Sequence, residues 1–336
     1  MILLNKEEKM KELRPLEKTI KISNTDIWND SCAKDELEYA IGFGAVGATT
    51  NPVIVNTVLG QDMPLWEGRI KELVKKMKDA TEDEIVWKIN EEMAIKGAKM
   101  LKPAFDKSNG KKGKISIQTN AKFYRNWKLM ADQAEYFSSL APNIMVKMPV
   151  TEQGVKAIEE STYRGVSVNA TVSFTVPQMV AVAQAVESGL SRRKKEGKPT
   201  DFITPACTMM VGRLDDWLKI YVKQKGIQIN SEYLEWCGVA AFKNALKIYE
   251  AKGYSTRPLA AAYRNQLQWT ELIGGNSILT IPSKWQKMFN ESGVEPRNNS
   301  IYEPVDKKIL DKLLEVDEFR HSYYPDGMKI SEFDMY

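Results

Sequence analysis

The alternation of short apolar runs with longer amphipathic segments is the feature that most constrains the fold of this chain. The apolar runs predict eight strands, at residues 20–30, 45–51, 114–119, 144–150, 166–171, 202–210, 258–263 and 277–281. Helical periodicity fills the segments between them, and strict alternation of strand and helix favours parallel pairing with right-handed crossovers. Eight such units predict a (β/α)8 TIM barrel.

Local signals agree with this division of the chain. Thr81 opens a capping box for a helix through about residue 101, and Thr151 is a good N-cap directly after the fourth strand. A doubly wound open sheet is the competing architecture. The segment 42–47, GFGAVG, has the spelling of a dinucleotide-binding turn but precedes a strand instead of opening a helix, which argues against that alternative.

The predicted barrel has short additions at both ends. We expect an N-terminal leader at 1–18, the catalytic barrel at 19–292 and a C-terminal helical extension at 293–336. The extension lies beyond the eighth strand, so we expect it to pack over the barrel or against a neighbouring subunit. Homo-oligomers are common among soluble enzymes, and the sequence leaves the number of subunits open.

Composition excludes several classes of function. The 336 residues carry a net charge of only +4, with both signs mixed along the chain, which does not favour binding to nucleic acid or membrane surfaces. The sequence contains no stretch of about 18 apolar residues, so we expect no membrane span. Three widely spaced cysteines favour reduced thiols in the cytoplasm. The single histidine, His321, excludes a zinc site built on several histidines and restricts any Ser-His-Asp triad to that one residue.

Lys147 is the most unusual residue of the predicted barrel. It lies in the middle of the apolar fourth strand, NIMVKMPV at residues 143–150. Burial can lower the pKa of a lysine by up to about 3–5 units, and a neutral amine can form a Schiff base with a carbonyl substrate. The alternative is that the side chain extends from the strand to a carboxylate or to water.

Polar residues follow at the carboxyl ends of the other strands, where TIM barrels hold their reactive groups. Each has a structural alternative as a cap, a turn residue or a surface ion-pair partner. Along the chain they are Asp30, Asn51, Gln118, Asn169, Thr171, Thr208, Arg213 and Arg264.

Four segments resemble the transaldolase family of class I Schiff-base aldolases. They are GATTNP at 47–52, VKMPVTEQG at 146–154, NATVSFTVPQ at 169–178 and VGRLDDW at 211–217, and the match continues in register from about residue 24 to about 282. The resemblance implies carbohydrate chemistry of the pentose phosphate pathway kind on sugar phosphates, with no metal or organic cofactor.

The resemblance also implies a role for each polar residue. Lys147 would form the Schiff base, Asp30 would take the proton of the C4 hydroxyl, and Thr171 with Gln118 would orient the catalytic water. The resemblance also implies that five residues bind substrate, and that the two arginines among them bind a terminal phosphate. They are Asn51, Asn169, Thr208, Arg213 and Arg264.

The chain departs from the family pattern at the strand-three position, where transaldolases carry a glutamate. Gln118 is similar to the residue of the fructose-6-phosphate aldolase branch, which releases dihydroxyacetone. That branch pairs its glutamine with a tyrosine in strand six, where this chain has Met210, and the family serine before the last arginine is Ala262 here. Three functions therefore stay open: a transaldolase, an aldolase that releases free dihydroxyacetone, and a sugar-phosphate-binding protein without turnover.

Overall fold

A closed barrel of eight parallel strands forms the centre of the protein, whose computed structural model describes residues 13–335. The strands are β1 (Asp26–Asn29), β2 (Gly47–Thr49), β3 (Lys114–Gln118), β4 (Ile144–Pro149), β5 (Val168–Ser173), β6 (Ala206–Met209), β7 (Arg257–Ala260) and β8 (Ile278–Ile281). They follow one another round the barrel in chain order, and β1 closes the ring by pairing with β8. The TIM-barrel prediction is confirmed.

Helices surround the barrel and extend beyond its last strand. In chain order they are α1 (Pro15–Ile22), α2 (Lys34–Gly42), α3 (Pro52–Gln61), α4 (Met63–Lys76), α5 (Glu82–Lys107), α6 (Trp127–Ser139), α7 (Glu152–Arg164), α8 (Val176–Lys195), α9 (Val211–Lys225), α10 (Ser231–Leu234), α11 (Cys237–Lys252), α12 (Leu267–Thr270), α13 (Ser283–Glu291), α14 (Lys307–Leu314) and α15 (Asp317–Tyr323). Both predicted caps are present: Thr81 Oγ1 accepts from Glu84 N at 3.3 Å, and Thr151 Oγ1 accepts from Gly154 N at 2.9 Å.

Seven of the eight strands are shorter than predicted, and three of them, β1, β6 and β7, show a local cause. The first was predicted from residue 20, but residues 15–22 form α1, which starts at Pro15 and buries Leu16. Strand β6 begins only after Pro205, and β7 ends at Ala260 because Ala262 adopts a left-handed conformation with φ +66°. Residues 1–12 of the predicted leader lie outside the described residues, and α1 crosses the predicted boundary at residue 18.

The barrel interior is filled in levels. At the amino ends of the strands, Asp26 forms an ion pair with Arg257 at 2.7 Å, and Lys114 Nζ donates to Thr204 Oγ1 at 2.5 Å. An apolar level comes next, formed by Trp28, Val46, Met145, Ala206, Leu259, Ala261 and Ile278. Polar side chains occupy the level above it, at the carboxyl ends. The apolar level therefore separates the candidate site at the carboxyl ends of the strands from the polar groups at their amino ends.

The C-terminal extension reaches the carboxyl face of the barrel. Phe333 is 2% exposed and joins the main hydrophobic core, and Asp334 Oδ1 accepts from Glu152 N at 3.0 Å at the start of α7. The final turn, Ile330–Met335, contacts α7 and α8. Cys32, Cys207 and Cys237 are buried free thiols. Among residues 13–335, no helix is both long and apolar enough to cross a membrane.

Candidate active site

Lys147 lies in the middle of β4 and points into the upper level of the barrel. The residue is 7% exposed, so its side chain does not extend to bulk solvent. Its register partners are Gln118 on β3 and Asn169 on β5, which brings three predicted site residues together on adjacent strands. The amine lies 3.5 Å from the carbonyl oxygen of Thr50. Burial lowers the pKa of Lys147, and the charge of Asp30 opposes this effect.

Asp30 follows β1 directly and faces the same interior space. Thr49 Oγ1 donates to Asp30 Oδ1 at 2.6 Å, and the same hydroxyl lies 2.6 Å from Thr280 Oγ1. Desolvation raises the pKa of Asp30, while the charge of Lys147 and the Thr49 hydrogen bond act in the opposite direction. The site therefore pairs an amine that loses its proton easily with a carboxyl group that retains its proton easily.

Asn169 of β5 is held by hydroxyl groups from the adjacent strand β6 and, across the barrel interior, from β3. Its Nδ2 donates to Ser116 Oγ at 3.0 Å, and its Oδ1 accepts from Thr208 Oγ1 at 2.8 Å. All three residues are at most 2% exposed. A buried amide with fixed partners on two sides keeps one orientation. The structure thus brings Thr208 to Asn169, beside Lys147.

A bulge shapes the carboxyl end of β5. The pairing with β6 shifts between Ala170 and Ser173, so two residues, Thr171 and Val172, lie opposite Thr208. Val172 has φ +53°, which is strongly disfavoured for a β-branched side chain. Val172 is 38% exposed, whereas Thr171 is 4% exposed. The bulge therefore turns Thr171 into the barrel and Val172 toward the mouth.

A cavity of about 310 Å³ opens beside this bulge. Gln118 and Thr171, the two residues predicted to orient water, both line it. Tyr124 forms part of its wall, and Phe333 and Asp334 contribute from the C-terminal turn. The extension is therefore part of the site's surroundings.

Asn51 lies at the end of β2 and caps α3. Its side chain accepts from Ile54 N at 3.0 Å, and Pro52 occupies the first helical turn. This is the structural role that the sequence allowed for Asn51. A role in substrate binding stays a prediction for this residue.

The two predicted phosphate-binding arginines share an acidic neighbour. Arg264 donates a hydrogen bond from Nε to Asp216 Oδ2 at 3.0 Å and forms an ion pair through Nη2 at 2.8 Å. The Arg213 side chain is 58% exposed, and its Nη1 lies 3.9 Å from Asp216 Oδ2. The cluster carries one net positive charge, so an anion would compete with Asp216 for these guanidinium groups.

The structure adds residues that the sequence did not single out. Thr49, Thr280 and Ser116 support the predicted residues by hydrogen bonds, and their inward positions could have been found from the two-residue period of their strands. Tyr263 follows β7 and is 2% exposed. Within the described part of the chain, its hydroxyl has no hydrogen-bond partner. No sequence signal predicts that property.

Comparison with known proteins supports the resemblance. The family model described as transaldolase/fructose-6-phosphate aldolase matches residues 27–334. The chain belongs to this family. A protein named transaldolase 2 from Streptomyces avermitilis is 26% identical over 278 residues, covering 76% of this chain and 74% of the relative. Transaldolase from Mycobacterium ulcerans is 24% identical over 337 residues, covering 90% and 89%. At these identities the relatives support an enzyme of the transaldolase and aldolase type.

Proposed function

We propose that this protein transfers a dihydroxyacetone unit from a ketose phosphate to an aldose phosphate through a Schiff base on Lys147. The observation that carries the proposal is the buried pair of Lys147 and Asp30. Burial lowers the pKa of the amine and raises that of the carboxyl group. A neutral amine is the form that attacks a carbonyl carbon, and a nearby carboxyl group can move the protons.

The proposed reaction begins when the Lys147 amine attacks the C2 carbonyl of the ketose, and loss of water gives a protonated imine. Asp30 would give its proton to the departing water and, as the resulting carboxylate, then take the proton of the C4 hydroxyl as the C3–C4 bond breaks. The electron pair of that bond moves into the imine to give an enamine, and the aldehyde departs. The enamine attacks the acceptor aldehyde in the reverse sense. Thr171 and Gln118, which line one cavity, would orient the water that hydrolyses the final imine.

Substrate binding is proposed for the polar groups around this pair. Asn169 and Asn51 would bind sugar hydroxyls, with Thr208 fixing the orientation of Asn169 through their 2.8 Å hydrogen bond. Arg213 and Arg264 would hold the terminal phosphate, since a planar guanidinium pairs with two phosphate oxygens at once. Phosphate binding would displace Asp216 from part of its contact with Arg264.

Release of free dihydroxyacetone is the second candidate function. Gln118 favours it, because this side chain lines the cavity beside Thr171 and has no ionisable proton. A glutamine can orient water but cannot exchange a proton with it. A transferase would need an aldose phosphate acceptor for turnover, whereas a lyase would liberate dihydroxyacetone without one.

Borohydride trapping tests the Schiff base directly. The protein is incubated with dihydroxyacetone or fructose 6-phosphate and reduced, and the adduct is located by peptide mass spectrometry. We expect the mass gain on Lys147, its loss in Lys147→Met, and its retention in Lys114→Met, which removes the other buried lysine of the barrel interior. Absence of an adduct with both compounds would refute the proposed donor chemistry. An adduct without turnover, with or without an aldose phosphate, would favour a binding protein.

A further inference from the structure

We propose that Asp334 of the final turn is a further catalytic residue, whose carboxylate accepts a hydrogen bond from the water that hydrolyses the Lys147 imine. This inference rests on the proposed function and deepens it. The observation that carries it is the cavity beside the β5 bulge, which Asp334 lines together with Gln118 and Thr171. Among the described residues of the chain, Asp334 contributes the only carboxyl group in the wall of this cavity.

The cavity lies one level above Lys147, toward the mouth of the barrel. Pro149 lines it and is two residues beyond Lys147 on β4, so it occupies the same face of the strand about 7 Å higher. Thr171, another wall residue, is the register partner of Pro149 on β5. An imine carbon bonded to the Lys147 amine therefore faces this cavity, whose volume of about 310 Å³ leaves space for the attacking water.

Two contacts fix Asp334 in the wall of the cavity. The neighbouring Phe333 is 2% exposed within the main hydrophobic core, which anchors the final turn. Asp334 Oδ1 accepts from Glu152 N at 3.0 Å in the first turn of α7, where the positive end of the helix dipole favours an anion. Its second oxygen, Oδ2, has no hydrogen-bond partner within residues 13–335 and is available to a water molecule.

Hydrolysis of the imine creates a need for such an acceptor. As the water oxygen bonds to C2, the electron pair of the C=N bond moves onto the Lys147 nitrogen, and positive charge develops on the water oxygen. One water proton passes to the Asp30 carboxylate, and the other hydrogen stays on the oxygen in a hydrogen bond to Asp334. Because a hydrogen bond to an ionised acceptor is roughly twice as strong as a neutral one, Asp334 stabilises this charge more than the Gln118 amide can.

Asp334→Asn tests the charge while keeping the contact. The asparagine oxygen can still accept from Glu152 N, so the melting temperature should fall by at most about 3 °C. Protein loaded with dihydroxyacetone is diluted, and borohydride reduction at successive times follows the decay of the Lys147 imine. We expect hydrolysis to slow by about 10- to 100-fold. Imine formation should slow as well, since its loss of water is the reverse of the same step.

Gln118→Glu in the Asp334→Asn background tests whether the charge acts on the water. This second change returns a carboxylate to the wall of the same cavity, from β3 instead of the final turn. We expect most of the lost hydrolysis rate to return. A slow variant without this recovery would mean that Asp334 acts only through α7, and would overturn the inference.

Asp306→Asn is the matched control. Asp306 is also an exposed residue of the C-terminal extension, and its Oδ1 accepts from Lys308 N at 2.8 Å at the start of α14. We expect this variant to hydrolyse the imine at the wild-type rate. Equal hydrolysis rates for Asp334→Asn and the wild type would contradict the inference, as would slowing in step with a loss of folded protein. Failure of the wild type to form the dihydroxyacetone adduct would instead count against the proposed function.

Discussion

Gln178 joins the ends of the two strands that carry Lys147 and Thr171, so replacing it by leucine is a stringent test of how the site is held. The Gln178 side chain is fully buried. Its Oε1 accepts from Phe174 N at 2.9 Å, from Thr175 N at 3.3 Å and from the Thr175 hydroxyl at 3.1 Å. Its Nε2 donates to the carbonyl oxygens of Val150 and Val172, both at 3.4 Å.

The expected loss of stability follows from the backbone and side-chain groups that lose their hydrogen-bond partner when leucine replaces Gln178. Leucine fills similar space but makes none of these hydrogen bonds. The Thr175 N–H and the Val150 carbonyl are buried, and each unsatisfied group costs about 1–3 kcal/mol. Phe174 and Val172 are more exposed, so water can replace part of their lost bonding. We therefore expect the free energy of unfolding to fall by about 2–6 kcal/mol.

Urea unfolding and single-turnover cleavage of fructose 6-phosphate measure the two consequences. Loss of the connection to Val172 frees the bulge, and a misplacement of about 1 Å can slow catalysis by about 100-fold, so the cleavage rate should fall even in fully folded protein. Asn143→Leu is the control, because Asn143 Nδ2 donates to Ala98 O and Gly113 O, both at 2.7 Å, at the opposite end of the barrel. That variant should lose stability and keep its cleavage rate. A loss below about 1 kcal/mol in Gln178→Leu, or equal slowing in both variants, would refute the reasoning.

Two further predictions concern Asp30 and Val172. Asp30→Asn should still form the dihydroxyacetone imine but stop sugar cleavage. Because the Asp30 charge raises the pKa of Lys147 against the effect of burial, its removal should shift the pH midpoint of imine trapping to lower pH; an unchanged midpoint would contradict the coupling. Val172→Gly should remove the cost of a left-handed backbone at a non-glycine residue, about 1–2 kcal/mol. The greater backbone entropy that glycine loses on folding offsets about 0.5–1 kcal/mol of this gain. Urea unfolding should show a gain of up to about 1.5 kcal/mol with slower cleavage, and a less stable variant would argue against strain at φ +53°.

The barrel could be predicted from sequence because its pattern repeats, and the exceptions have local causes. Residues 20–22 continue the apolar spacing of the first strand, yet they belong to α1, where Leu16 and Ile20 are one helical turn apart. At β7, the prediction ran three residues too far because nothing in the sequence marks Ala262 as left-handed. Periodicity thus predicts which face a residue occupies better than it predicts where a strand stops.

The site was only partly predictable, because its contacts join residues that are far apart along the chain. The Thr49–Thr280 contact spans 231 positions, and the Thr208–Asn169 hydrogen bond spans 39. Strand ends indicated that such residues would meet, but not which hydroxyl would support which amide. The unpaired hydroxyl of Tyr263 depends on the packing around Phe289, which no local pattern of residues records.

The barrel contains two buried lysines, and their surroundings explain why only one of them is proposed as the nucleophile. Burial lowers the pKa of Lys114 to about 8, so desolvation alone would make its amine reactive. However, Lys114 Nζ donates to Thr204 Oγ1 at 2.5 Å and to Ser167 Oγ at 3.3 Å, and it lies below the apolar level that contains Trp28. Lys147 lies above that level, and its charge is coupled to the Asp30 carboxyl group. A lowered pKa is thus insufficient for aldol chemistry, because the lysine must also share its space with a group that moves the C4 proton.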